Sequence, residues 1–150
     1  MSSIYVFSSE NLTNVWAGVG ARLWAVSEGQ GNNPSIITKS QKVNVGEFGI
    51  FYINEIKAFT TPFVIRSRPK KGESVANVWR NTWYLPFSIV PLGSPKLSIP
   101  AHQLNELLPS IISAKKNWDQ FLFVSPMTVF ASARITPEDW AILIEKLVDV

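Results

Sequence analysis

Between Arg66 and Arg80 the chain places five cations, Arg66, Arg68, Lys70, Lys71 and Arg80, against a single acid, Glu73. The cations open as the run Arg66-Ser67-Arg68-Pro69-Lys70-Lys71-Gly72. They end inside an aromatic stretch, Val78-Trp79-Arg80-Asn81-Thr82-Trp83-Tyr84, which continues into the apolar run Leu85-Pro86-Phe87-Ser88-Ile89-Val90. Flat rings hold a nucleic-acid base by its face, and neighbouring cations hold its phosphates. The five cations are therefore the candidate phosphate contacts. The same residues also suit an aromatic core strand behind a solvated loop, so the stretch nominates a site without assigning one.

Other chemistries find less support. Cysteine is absent, which excludes a disulfide scaffold, a thiol nucleophile and a Cys-containing zinc site. The single histidine, His102, has no cluster of Asp or Glu around it and reads as a surface or capping residue. Glu138 and Asp139 are adjacent carboxylates, but both sit where a helix start accounts for them, and turn residues account for Glu55 and Lys57. No metal, cofactor or catalytic group is expected. The fingerprint of dinucleotide binding fails as well: after Gly18 and Gly20 the third glycine position holds Leu23.

The chain has 150 residues, 46% of them hydrophobic, and a net charge of +3. Those values predict one packed domain over residues 1–150 and argue against disorder. With no signal-peptide pattern and no run of membrane-spanning length, a soluble, cytoplasmic protein without a membrane partner is expected.

Positioning the candidate groups falls to short strands joined by short loops. Strands are predicted over 4–7, 23–26, 48–53, 56–65 and 85–90, with the third and fourth forming a hairpin and Pro62 marking an edge or bulge. A short helix over 10–16, with Leu12, Val15 and Trp16 on one face, is expected to stop at Gly18 and Gly20. Residues 27–34 read as a flexible, turn-forming loop that leaves a face of Trp24 open. An amphipathic helix is predicted over 101–113 and a last strand over 130–135; residues 118–124 stay unassigned. Thr136, Pro137, Glu138 and Asp139 start a final helix whose buried face is Trp140, Leu143, Ile144 and Leu147. The expected class is α+β, a small twisted, barrel-like sheet with helices packed outside it.

The order of segments resembles the EVE domain, a member of the PUA-like superfamily related to the YTH domain. Tyr5-Val6-Phe7-Ser8-Ser9-Glu10-Asn11 is similar to that family's opening strand and turn, and Leu23-Trp24-Ala25-Val26 to its short tryptophan segment. Val43-Asn44-Val45-Gly46-Glu47-Phe48-Gly49-Ile50-Phe51-Tyr52 and Trp83-Tyr84-Leu85-Pro86-Phe87-Ser88-Ile89 resemble two later strands, and 104–147 the C-terminal half. Glu47 stands where the family has Asp, and 27–35 looks like an insertion.

The resemblance implies a non-catalytic reader that flips a modified, methylated base into an aromatic cage, in DNA ahead of RNA, with both left open as partners. It also implies a possible role as the specificity module of a restriction system, fused to an AAA+ GTPase. By position, Trp24 would be the first cage wall with Ala25 beside it. Ser8, Ser9 and Asn11 would line the floor, with Asn14 one helical turn further on. Trp79 and Trp83 compete for the second wall. The alternatives are a PUA-like enzyme acting on a modified nucleoside and a protein-interaction module with its aromatics buried.

Overall fold

β1 (Ile4–Ser9) sends its apolar residues into two different cores. Tyr5 and Phe7 join one buried cluster, Ile4 and Val6 another. Successive strand side chains point to opposite faces, so a strand apolar on both must be covered on both. β3 (Phe48–Ile53) repeats the pattern, with Phe51 and Ile53 on the first side and Ile50 and Tyr52 on the second. These observations come from a computed structural model that describes residues 3–124 and 129–148.

The strands form one seven-stranded sheet with the path β1-β3-β4-β6-β2. β1 runs parallel to β3, and β3 pairs antiparallel with β4 (Ala58–Ile65) as the predicted hairpin. β4 changes partner part-way. Its first half pairs with β7 (Ser98–Pro100), its second with β6 (Trp83–Pro91). The change falls at Thr61, whose φ is +49°, beside Pro62, where the register with β3 shifts. This is the irregularity Pro62 predicts. A second bulge lies at Leu85 (φ +54°), opposite β2 (Leu23–Val26), and β5 (Ser74–Val75) pairs beyond it. Bulges increase local twist, so the sheet curls into a half-barrel whose two end strands are β1 and β2.

α1 (Leu12–Ala21) runs straight through Gly18 and Gly20 and ends at Arg22 in the left-handed region. Neither glycine stops it. A Cβ on Gly18 would lie 2.8 Å from the Trp24 ring and 2.9 Å from the Leu23 carbonyl oxygen, so Gly18 allows close packing instead. Trp16 turns outward, 43% exposed, while Val15 is buried. Residues 27–34 are also ordered differently from the loop the glycines suggest, and the helical order runs on to Ser40. The stretch forms α2 (Glu28–Gly31) and α3 (Pro34–Ser40). Asn33 caps α3 by accepting from the Ser35 and Ile36 amides, and Pro34 occupies the first helical position.

The second core is covered by the C-terminal helices. The helix predicted over 101–113 is broken: a 3₁₀ turn (Ala101–Gln103) leads into α4 (Leu104–Leu107), then α5 (Pro109–Ala114). Pro109 disfavours helical backbone at Leu108, which is extended at φ −90° and ψ 122°. α6 (Asp119–Leu122) fills the unassigned stretch. The strand expected over 130–135 is reduced to a single bridge between Ser132 and Tyr5. α7 (Pro137–Leu147) starts as predicted, with a reciprocal capping box between Thr136 and Asp139. Helices outside a curled mixed sheet give the α+β class expected from the sequence. Among the described residues no helix is long and apolar enough to cross a membrane.

Candidate functional site

The half-barrel does not close between β1 and β2, and a cleft of about 600 Å³ occupies the gap. That is within the range of small-molecule sites, roughly 300–1,000 Å³. Most of its wall comes from four places. Val6 to Ser9 of β1, with Glu10, form one side. Trp24, Ala25 and Val26 of β2 form the back. Trp83 starts β6, and the α2–α3 segment contributes Gln30, Asn33, Ser35, Ile36 and Lys39.

The aromatic geometry is specific. Trp24 is 2% exposed and so mostly buried rather than open-faced. Its ring lies 4.5 Å from Phe51 and stands perpendicular to both Trp79 (87°) and Trp83 (89°). Trp79 and Trp83 are parallel to each other, 8° apart in plane and 4.3 Å apart in centroid. Trp83 lines the cleft; Trp79 is buried behind it and does not. Trp24 and Trp83 thus meet as a right-angled corner, with Trp79 as the backing of one wall.

The polar groups divide by task. Ser9 Oγ donates to the Asn11 carbonyl at 2.7 Å, and Asn11 Oδ1 accepts from the Asn14 amide at 2.9 Å. Asn11 is therefore committed to capping α1 and is not among the residues lining the cleft. The Asn14 carbonyl accepts from Trp79 Nε1 at 3.0 Å. The Asn14 backbone is thus held on both sides, and the residue lines the cleft, where its carboxamide supplies a donor and an acceptor side by side. Ser8 also lines it. Ile4 O accepts from Ala133 N on one edge of β1, and Ser9 O from Asn54 N on the other. Peptide groups alternate along a strand, so Ser8 turns its own toward the cleft side.

The predicted phosphate contacts lie elsewhere. Arg66, Arg68, Lys70, Lys71 and Arg80 are exposed and none lines the cleft. Arg68 is used by the fold: its Nε donates to Val43 O at 3.1 Å and its Nη2 to Asn44 Oδ1 at 3.0 Å. Sequence reasoning missed Asn33, Ser35 and Lys39 as cleft residues because 27–34 read as a loop. The signal was present in Asn33-Pro34, a capping residue followed by proline. Among the described residues no group of three or more His, Asp or Glu side chains is placed to hold a metal, and Glu10 is the one acid among those lining the cleft.

No protein-family model matches this sequence. No curated protein matches it either. Solved structures do match. The YTH domain of the Zygosaccharomyces rouxii MRB1 protein, solved in complex with N6-methyladenosine RNA, aligns over 99% of this chain and 89% of its own, with a TM-score of 0.64 and 14% identity. The fold is YTH-like. The Pho92 YTH domain in complex with m6A covers the same shares at a TM-score of 0.60 and 19% identity. The Mmi1 YTH domain complex with RNA covers 97% of this chain and 77% of its own, at 0.56 and 12%. At such identities the likeness is one of fold, and it spans both the half-barrel and the helices outside it.

Proposed function

We propose that this chain is a non-catalytic nucleic-acid-binding domain that reads a modified, methylated base. The observation that carries the reading is the corner made by Trp24 and Trp83, in a cleft that Ser8 and Asn14 also line and that is sized for a base. The base would stack on Trp83, with its edge read by the Asn14 carboxamide and the Ser8 peptide. Stacking contributes roughly 1–3 kcal/mol per base. A methyl group buried at the corner adds about 0.8 kcal/mol. An unmodified amino group forced there would lose a hydrogen bond to water, costing on the order of 1–3 kcal/mol. The last two effects together favour the methylated base by about one to three orders of magnitude.

The likeness to YTH domains solved with m6A and with RNA supports this reading, and it favours RNA. The resemblance of the sequence to EVE domains favours DNA and a place in a restriction system. Double-stranded DNA would require flipping, at a cost of a few kcal/mol. Catalysis is disfavoured because Glu10 and Lys39 are the two charged groups among the described residues lining the cleft, and both are solvent-exposed.

The test is a titration of matched RNA and DNA oligonucleotides, unmodified and carrying N6-methyladenine, 5-methylcytosine or 5-hydroxymethylcytosine. At least tenfold tighter binding of one modified oligonucleotide, lost in Trp83→Ala, is expected. Equal affinity for all, or none for any, overturns the reading. Turnover of a modified nucleoside would establish an enzyme instead.

A further inference from the structure

Lys39 is the one Lys or Arg among the described residues lining the cleft. It lies in the last turn of α3 and is exposed. The Lys42 amide donates to the Lys39 carbonyl at 3.1 Å, which keeps the two lysines in one turn. The residues that follow Lys39 fasten the basic loop. Gln41 Nε2 donates to Pro69 O at 2.9 Å, and Arg68 bridges Val43 and Asn44. The end of α3 that carries Lys39 and Lys42 therefore adjoins the loop that carries the exposed Lys70 and Lys71, and of these four Lys39 lines the cleft. The one acid, Glu10, follows β1 on the other wall, where a phosphate would be repelled.

Building on the base-reading cleft above, we propose that α3 and the 66–71 loop form one phosphate track. Lys39 pairs with the phosphate of the nucleotide whose base occupies the cleft. Lys42, Lys70 and Lys71 take phosphates further along the same strand. The ligand is then a nucleotide within a strand rather than a free base or nucleoside, and the strand leaves over α3, away from Glu10. α3, which begins at the end of the 27–35 stretch that looks like an insertion, becomes the wall that fixes the strand's direction. Phosphate contacts of this kind position the ligand while the base contacts specify it.

The experiment compares N6-methyladenosine, its 5′-monophosphate, and single-stranded RNA and DNA nonamers with one central N6-methyladenine, at several salt concentrations. The monophosphate is expected to bind about tenfold tighter than the nucleoside at low salt. Lys39→Gln should bring that ratio to about one, and Lys39→Arg should restore it. Lys42→Gln should weaken the nonamers more than the monophosphate and reduce the slope of log K against log salt by about 0.7, the loss of one single-strand phosphate contact. A nucleoside that binds as tightly as its monophosphate, or a ratio and slope unmoved by Lys39→Gln, overturns the track and leaves the base reader standing. No binding of any probe, here or among the cytosine-modified oligonucleotides above, overturns both.

Discussion

The indole rings of Trp79 and Trp83 lie face to face, their centroids 4.3 Å apart and their planes 8° from parallel. A base between them would need two contact layers of about 3.5 Å each, so the pair is closed to a ligand. Trp79 is also anchored, its Nε1 donating to the Asn14 carbonyl at 3.0 Å. The two tryptophans therefore do different jobs, one facing the cleft and one holding it.

Trp83→Ala should cost the stacked face and lower affinity for the preferred oligonucleotide by roughly 1–3 kcal/mol, about 5- to 150-fold. Trp79→Phe keeps an aromatic backing but loses the bond to Asn14. A smaller loss of affinity is expected, with weaker discrimination between modified and unmodified bases as Asn14 loosens. Titrations of both variants against the same pair of oligonucleotides separate the two roles. Equal losses of affinity with unchanged discrimination would mean that Trp79 serves only as packing.

Trp24→Ala is a poorer probe of binding than its position suggests. With 2% exposure and contacts to Phe51, Trp79 and Trp83, the ring is part of the core. Its truncation should cost about 3–5 kcal/mol and lower the melting temperature on the order of 10 °C. A thermal melt of the variant checks this. A shift of a degree or two would mean the ring is far less embedded than its contacts indicate.

Gly18 and Gly20 offer a paired test of how α1 is seated. A methyl at Gly18 would press on the Trp24 ring and the Leu23 carbonyl, whereas Gly20 has nothing within 4 Å of the added carbon. Gly20→Ala should stabilise by about 0.5–1 kcal/mol through helix propensity alone. Gly18→Ala gains the same propensity but should be destabilised by overpacking of about 1–3 kcal/mol. Urea denaturation should move the two midpoints in opposite directions.

The contrast between those glycines shows where sequence reasoning reaches its limit. Composition and spacing located β3, the β3–β4 hairpin, the irregularity at Pro62 and the capped start of α7, because each depends on neighbours in the chain. Whether Gly18 ends a helix or seats it against Trp24 depends on a partner brought in by folding. The same holds for 27–34, where four turn-forming residues outweighed the Asn33-Pro34 capping pair. At the candidate site, the sequence could name Trp79 and Trp83 but could not order them, since the Leu85 bulge and the bond to Asn14 decide which ring faces the cleft.

Tyr5 links the fold to pH. Burial, and then the charge of Glu47, raise its phenol above the ordinary value of about 10. An unfolded tyrosine loses its proton first, so above that value the folded state holds more protons. The contribution is full below pH of about 10 and is lost as pH rises through the folded value. Stability measured by denaturant should fall on the alkaline side, and Tyr5→Phe should flatten that fall. Part of it should remain, because burial raises Tyr52 as well. At neutral pH the variant should lose about 1 kcal/mol, since Tyr5 Oη no longer donates to Glu47 Oε1 at 3.2 Å.

Within the basic loop, Arg68 and the lysines should separate by assay. Arg68 reaches Val43 O and Asn44 Oδ1 with two different nitrogens, a fork that lysine cannot reproduce. Arg68→Ala should lower stability by about 1 kcal/mol, and Arg68→Lys should recover little of it. Lys70→Ala and Lys71→Ala remove exposed side chains and should leave stability within about 0.5 kcal/mol, while each flattens the salt dependence of nucleic-acid binding. Denaturation and salt titrations on the same three variants decide the matter. If all three change binding alone, the loop is a free cationic surface. If Arg68 changes stability and the lysines change binding, the arginine is the fastening that holds the lysines beside α3.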